Sequence, residues 1–165
     1  MLFRSKGNDK YLYAIIGPIY DSINKYPVFD TKTILSEYII HEFSHSFCDS
    51  LIDKYDEELK VSECLLKPIE KSIKSQGYKG WKNCLQEHLV RANEIVLNEI
   101  VFGKEKSETL YKEFVEKDSW IYLKGIVPII RNVYLTDRKK YETQDQIMKL
   151  RSEEHTSELQ SLSHL

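Results

Sequence analysis

The apolar positions change period several times along the chain, and each change marks an element. Two short apolar and aromatic segments, Leu2-Phe3-Arg4 and Tyr11 to Ile16, flank a Lys6-Gly7-Asn8-Asp9 turn signal and predict a β-hairpin. Residues 19 to 31 hold Asn24 and Pro27 and keep no period, which predicts a connecting loop. From Thr33 to Lys54 the period is helical: Ile34, Leu35, Tyr38 and Ile39, then Phe47 and Leu51, recur at helical spacing, and Asp30 or Thr31 stands where a cap belongs. A charged second helical segment covers Glu57 to Ser75, is interrupted by Pro68 and closes over Gly77 to Gly80. The third helix spans Trp81 to Phe102 and stops at Gly103. Ser107 to Leu150 reads as two further helical pieces, with Gly125 and Pro128 between or inside them. The expected fold class is α+β, mainly helical, with a small N-terminal β-hairpin or sheet.

The third helix carries more apolar positions than one face can hold. Leu85, Leu89, Ala92 and Val96 form a stripe, and Val90, Leu97 and Val101 widen it, so the helix is expected to be largely buried. Glu87, Arg91, Glu94 and Asn98 nevertheless stack along it as one narrow polar strip. Buried charges need a paired charge or a metal, so the strip requires a partner.

The first helix offers one. His41-Glu42-Phe43-Ser44-His45 reads as HExxH, in which two imidazoles one turn apart bind a single Zn²⁺ and the glutamate serves as general base of a metallopeptidase. A catalytic zinc takes three protein ligands and leaves the fourth position to water. The three-histidine extension HExxHxxGxxH is excluded, because Cys48 stands at its glycine and Leu51 at its last histidine. That points to the gluzincin arrangement, in which a glutamate from a later helix completes the site. Glu87 on the polar strip is the first candidate, and Glu94 and His88 are the alternatives. Arg91, one turn from Glu87, is placed to hold a ligand carboxylate or a substrate carbonyl, or simply to pair with Glu87. Among the 11 tyrosines, Tyr122 in Trp120-Ile121-Tyr122-Leu123 is the candidate donor to a developing oxyanion.

Composition narrows the picture further. The chain has 165 residues, 41% hydrophobic and 30% charged, which suits one domain with a real core. No apolar run reaches the length of a membrane span, and no signal peptide is visible at the start. Cys48, Cys64 and Cys84 are odd in number and form no CxxC pair, which argues for free thiols rather than a disulfide framework or a cysteine metal site.

Residues 151–165, RSEEHTSELQSLSHL, lose all aromatic residues and all apolar periodicity, and they resemble the translation of a sequencing adapter joined in frame. Without Arg151, Glu153, Glu154 and Glu158 the basic and acidic residues balance at 23 each, so neither nucleic acid nor an anionic membrane is favoured as a partner. His155 and His164 belong to this tail, which leaves His88 as the one histidine outside the motif.

The blocks Tyr11-Leu12-Tyr13-Ala14-Ile15-Ile16-Gly17-Pro18, Ile40-His41-Glu42-Phe43-Ser44-His45-Ser46-Phe47, Glu87-His88-Leu89-Val90-Arg91-Ala92 and Tyr134-Leu135-Thr136-Asp137-Arg138-Lys139-Lys140-Tyr141 resemble an uncharacterised bacterial zincin-like domain family of the gluzincin type. That resemblance spans nearly all of residues 1–150. It implies a zincin-like metallopeptidase domain truncated at one or both ends, with His41, His45 and Glu87 on zinc and Glu42 as the base. Members of such families are usually longer and often carry an export signal, which is compatible with an exported, periplasmic or cell-envelope setting for a full-length form. The expected activity is hydrolysis of peptide bonds in a peptide or protein substrate. The alternative is a zinc-binding structural or interaction module of the same fold without turnover. Substrate identity and oligomeric state stay open at this level.

Overall fold

The computed structural model describes residues 2–6, 9–13, 19–20, 26–28 and 32–148. Gly7 and Asn8 of the expected turn, residues 14–18, the capping candidates Asp30 and Thr31, and the tail with His155 and His164 lie outside the described residues. Strand β1 (Leu2–Lys6) pairs antiparallel with β2 (Asp9–Tyr13), placing Leu2 opposite Tyr13 and Lys6 opposite Asp9. A second ladder joins β3 (Ile19–Tyr20) to β4 (Pro27–Val28), inside the stretch expected to be loop alone. Two residues per strand are too few for a period of two to register in the sequence.

The rest is mainly helical. Helix α1 (Lys32–Lys54) and helix α4 (Gly80–Phe102) are each 23 residues long and pack against one another. Their contacts run in opposite order along the two helices: Asp53 meets Lys82, Cys48 meets Asn93 and His41 meets Glu94. The pair is therefore antiparallel, and α4 also touches most of the later helices. Val90, Ala92, Ile95 and Cys84 on α4 are fully enclosed, as the excess of apolar positions on that helix predicts. Gly103 ends α4 at φ +91°, a conformation open to glycine without strain, and its N–H closes the last turn on the Glu99 carbonyl at 3.0 Å.

The segment expected as one helix over Glu57 to Ser75 is instead three pieces: α2 (Asp56–Leu59), a 3₁₀ helix (Lys60–Leu66) and α3 (Glu70–Ser75). Neither of the first two has a buried residue, so no apolar face holds them in a longer helix, and Pro68 has no N–H to give. The end of α3 is well defined. Gly77, at φ +95°, and Tyr78 direct their N–H groups to the Lys74 and Ile73 carbonyls at 3.1 Å each, the bonding of a Schellman motif.

After Gly103, α5 (Lys104–Lys112) passes into a π-helical turn (Glu113–Lys117), and α6 (Leu123–Ile129) into a second one (Ile130–Tyr134). Gly125 and Pro128 both lie inside α6, one of the two placements the sequence allows. A last helical stretch occupies 144–148. Trp120 and Leu123 are completely buried at the base of this region. No helix among the described residues is long and apolar enough to cross a membrane.

Of the apolar positions that point to α1, Leu51 is buried, but Tyr38, Ile39 and Phe47 are exposed, Phe47 at 69%. Among the described side chains of α1, those buried are Ser44, Cys48, Leu51 and Ile52. Apolar spacing identified the helix but not the direction in which it faces α4.

Candidate metal centre

His41 and His45 are one turn apart on α1, so their side chains leave the same face. Their rings meet edge to face with centroids 5.1 Å apart. Glu87, about two turns into α4, enters between them: its Oε1 lies 3.4 Å from His45 Nε2 and its Oε2 3.8 Å from His41 Nε2. One donor atom from each of His41, His45 and Glu87 falls within 4.8 Å of the other two, close enough to share one ion.

The opposite ring nitrogens are also occupied. His41 Nδ1 is 3.0 Å from Glu94 Oε2, and His45 Nδ1 is 3.0 Å from Asp49 Oδ1. Against an ionised carboxylate, which can only accept, each Nδ1 would be the donor and carry the proton. A neutral imidazole in that tautomer presents the lone pair of Nε2, and here both Nε2 atoms face Glu87. The hydrogen bond to Asp49, with the charges of Glu87 and Glu42, outweighs burial and raises the pKa of His45.

Glu87 and Glu94 are 7% and 5% exposed, which makes their partners an energetic necessity. Glu94 has His41. Glu87 Oε2, however, is buried with no hydrogen-bond partner; Arg91 Nη2 stands at 3.7 Å. A carboxylate kept from water in this way is the condition a bound cation would relieve. The donors, two imidazole nitrogens and one carboxylate oxygen backed by further carboxylates on the Nδ1 atoms, fit Zn²⁺ in kind and number.

Among the other residues expected from sequence, Glu42 is partly exposed and near enough for its charge to act on His45. His88 faces elsewhere. It is fully buried, its Nδ1 donates to the Cys84 carbonyl at 2.7 Å, and its ring lies 4.8 Å from Trp120 and 5.3 Å from Tyr122. Desolvation lowers its pKa to about 4. Tyr122 packs beside His88, with its hydroxyl donating to the Leu65 carbonyl at 2.5 Å. Asn98 ends the polar strip by donating to the Glu94 carbonyl at 2.8 Å.

Two residues at the site have no counterpart in the sequence reading. Asp49 sits four residues after His45, a spacing that puts it on the same helical face, so the signal was present. Tyr78 accepts a 3.3 Å hydrogen bond from Arg91 Nη2, and burial together with the Glu87 charge raises its pKa. It arrives from the loop after α3, and nothing in its local sequence announces that position.

A family model described as a domain of unknown function, DUF4932, matches residues 4–148. No curated protein and no solved structure matches the chain.

Proposed function

The chain belongs to the DUF4932 family, and from its own side chains we propose that it is a zinc-dependent hydrolase of peptide bonds, a zincin-like domain of the gluzincin type. The observation that carries this reading is the convergence of His41, His45 and Glu87 on one point, with both Nδ1 atoms held from behind by carboxylates. His41, His45 and Glu87 would hold the ion. Bound there, Zn²⁺ supplies the Lewis acidity that brings a water into the reactive range near neutral pH.

Glu42 then has a task that a purely structural site lacks. It follows His41 directly in HExxH, where it serves as the base that takes the proton of the attacking water and returns it to the leaving amine. Asp49 and Glu94 keep the two imidazoles in one tautomer throughout. In this reading β2 (Asp9–Tyr13), the described part of the strand expected over Tyr11 to Ile16, would be an edge on which an extended peptide pairs. Tyr122 is engaged with Leu65, which favours another group as oxyanion donor.

The test is zinc content together with cleavage of a peptide library by wild type, Glu42→Gln and Glu87→Ala. Glu42→Gln is expected to keep the metal and lose cleavage, and Glu87→Ala to lose metal affinity. Cleavage by Glu42→Gln at the wild-type rate overturns the mechanism. Stoichiometric zinc without cleavage by the wild type supports the non-catalytic module instead.

A further inference from the structure

Besides the two imidazoles, the Glu87 carboxylate meets Arg91, and Arg91 is held in an unusual way. Its guanidinium carbon lies 4.5 Å from the centre of the Trp120 ring and 4.7 Å from that of Phe114. Flat cationic groups bind well to aromatic faces, and two such rings fix the plane of the fork. Nη2 donates to the Tyr78 hydroxyl at 3.3 Å, and Nε is buried without a partner. The Tyr78 ring packs edge-on against Trp120 at 5.5 Å.

Both rings of the clamp come from one stretch of irregular backbone. Phe114 lies in the π-helical turn Glu113–Lys117, and Trp120 follows Ser119, whose φ of +66° lies in the left-handed region that non-glycine residues seldom adopt. The Trp120 N–H returns to the Phe114 carbonyl at 3.0 Å, which joins the two ends of the stretch. Trp120 Nε1 donates to Gln76 Oε1 at 3.1 Å, and Gln76 Nε2 donates to the Asp118 carbonyl at 2.8 Å, tying the stretch to the loop that carries Tyr78. Such strain persists only where surrounding structure enforces it, and it gathers at functional sites.

Resting on the metal reading of the site, we propose that Tyr78 and Arg91 are positioning residues for Glu87. They hold its carboxylate in the orientation that completes the metal-binding group, and the 113–120 stretch is shaped to seat Arg91. The consequence is non-local: a ligand on α4 is oriented by rings that come after α5 and by a hydroxyl that comes after α3.

The experiment measures Zn²⁺ affinity of the full chain by competition with a chromogenic chelator. It compares wild type, Tyr78→Phe, Arg91→Lys and, as a control, Tyr55→Phe, which removes a hydroxyl bonded to Asp145 instead. Circular dichroism of each metal-free protein establishes that it is folded. Outer partners of metal ligands typically contribute about 10- to 100-fold in affinity, so Tyr78→Phe is expected near the lower figure and Arg91→Lys above it. Tyr55→Phe is expected to bind as the wild type does. Should Arg91→Lys fail to fold, Tyr78→Phe decides alone. Wild-type affinity in folded Tyr78→Phe and Arg91→Lys overturns the positioning role and leaves the metal reading standing, as does an equal loss in Tyr55→Phe. A wild type that takes up no Zn²⁺ overturns the metal reading and this role with it.

Discussion

Glu94 Oε2 stands 3.0 Å from His41 Nδ1, a contact that joins residues 53 apart in the chain. It separates the roles of the two acids on the polar strip, because Glu87 faces Nε2 of the same ring. Replacing Glu94 with Gln keeps the shape and removes the charge. Zn²⁺ affinity is expected to fall roughly tenfold, and further in Glu94→Ala, which leaves Nδ1 without its acceptor. Isothermal titration of the three proteins checks the order, and equal constants in all of them would remove Glu94 from the site.

Metal binding should also appear as stability. A ligand that binds only the folded state at 100 times its Kd adds about 2.7 kcal/mol. Zn²⁺ is expected to raise the Tm of the wild type by several degrees and to leave that of His45→Ala unchanged. Chelator should reverse the wild-type shift. A Tm indifferent to zinc in the wild type would contradict the metal centre.

The three thiols are predicted to differ sharply. Burial pushes Cys48 and Cys84 up to about 12, whereas Cys64 is exposed. At pH 8 a thiol reagent is expected to modify one cysteine per chain quickly, identified as Cys64 by peptide mass mapping, and the other two only on unfolding. Fast modification of Cys84 would mean that α4 opens readily to solvent.

His88 gives a pH dependence whose sign is fixed by burial. Its folded pKa of about 4 lies below its ordinary 6.5, so the unfolded chain takes up the proton first. Its contribution is intact above pH 6.5 and is lost as the pH falls from there towards about 4. The ceiling is about 3 kcal/mol, at about 1.4 kcal/mol per pH unit. Urea denaturation of metal-free wild type and His88→Leu across that range isolates the effect, because His41 and His45 are common to both. Parallel stability curves for the two proteins would refute it.

The range of each signal decides how much of the fold and the site is legible in the sequence. The motif on α1, the burial of α4 and the stop at Gly103 are local patterns, and α4 is where the pattern says it is. The His41, His45 and Glu87 group was accessible because a charge on an apolar helix must face something. Phe47 shows the limit: its spacing is helical, yet the face it occupies is exposed, since burial depends on where α4 docks. Tyr78 and Trp120 mark the same limit at the site. Gly77 signals the end of α3, but no spacing tells that the next side chain will reach Arg91, 13 residues away. Tyr122 is one of 11 tyrosines with nothing in its spacing to set it apart, and its hydroxyl is with Leu65.

The antiparallel docking of α1 on α4 gives the donor group a second use. His41 and His45 belong to one rod and Glu87 to the other, so a slip of one residue along the interface would carry Glu87 out of reach of both rings together. Ion uptake would therefore be a register gauge for α1 and α4. In refolding, a Co²⁺-loaded sample would change colour when α1 and α4 lock into alignment, timing that event apart from the rest of folding and without any substrate in hand.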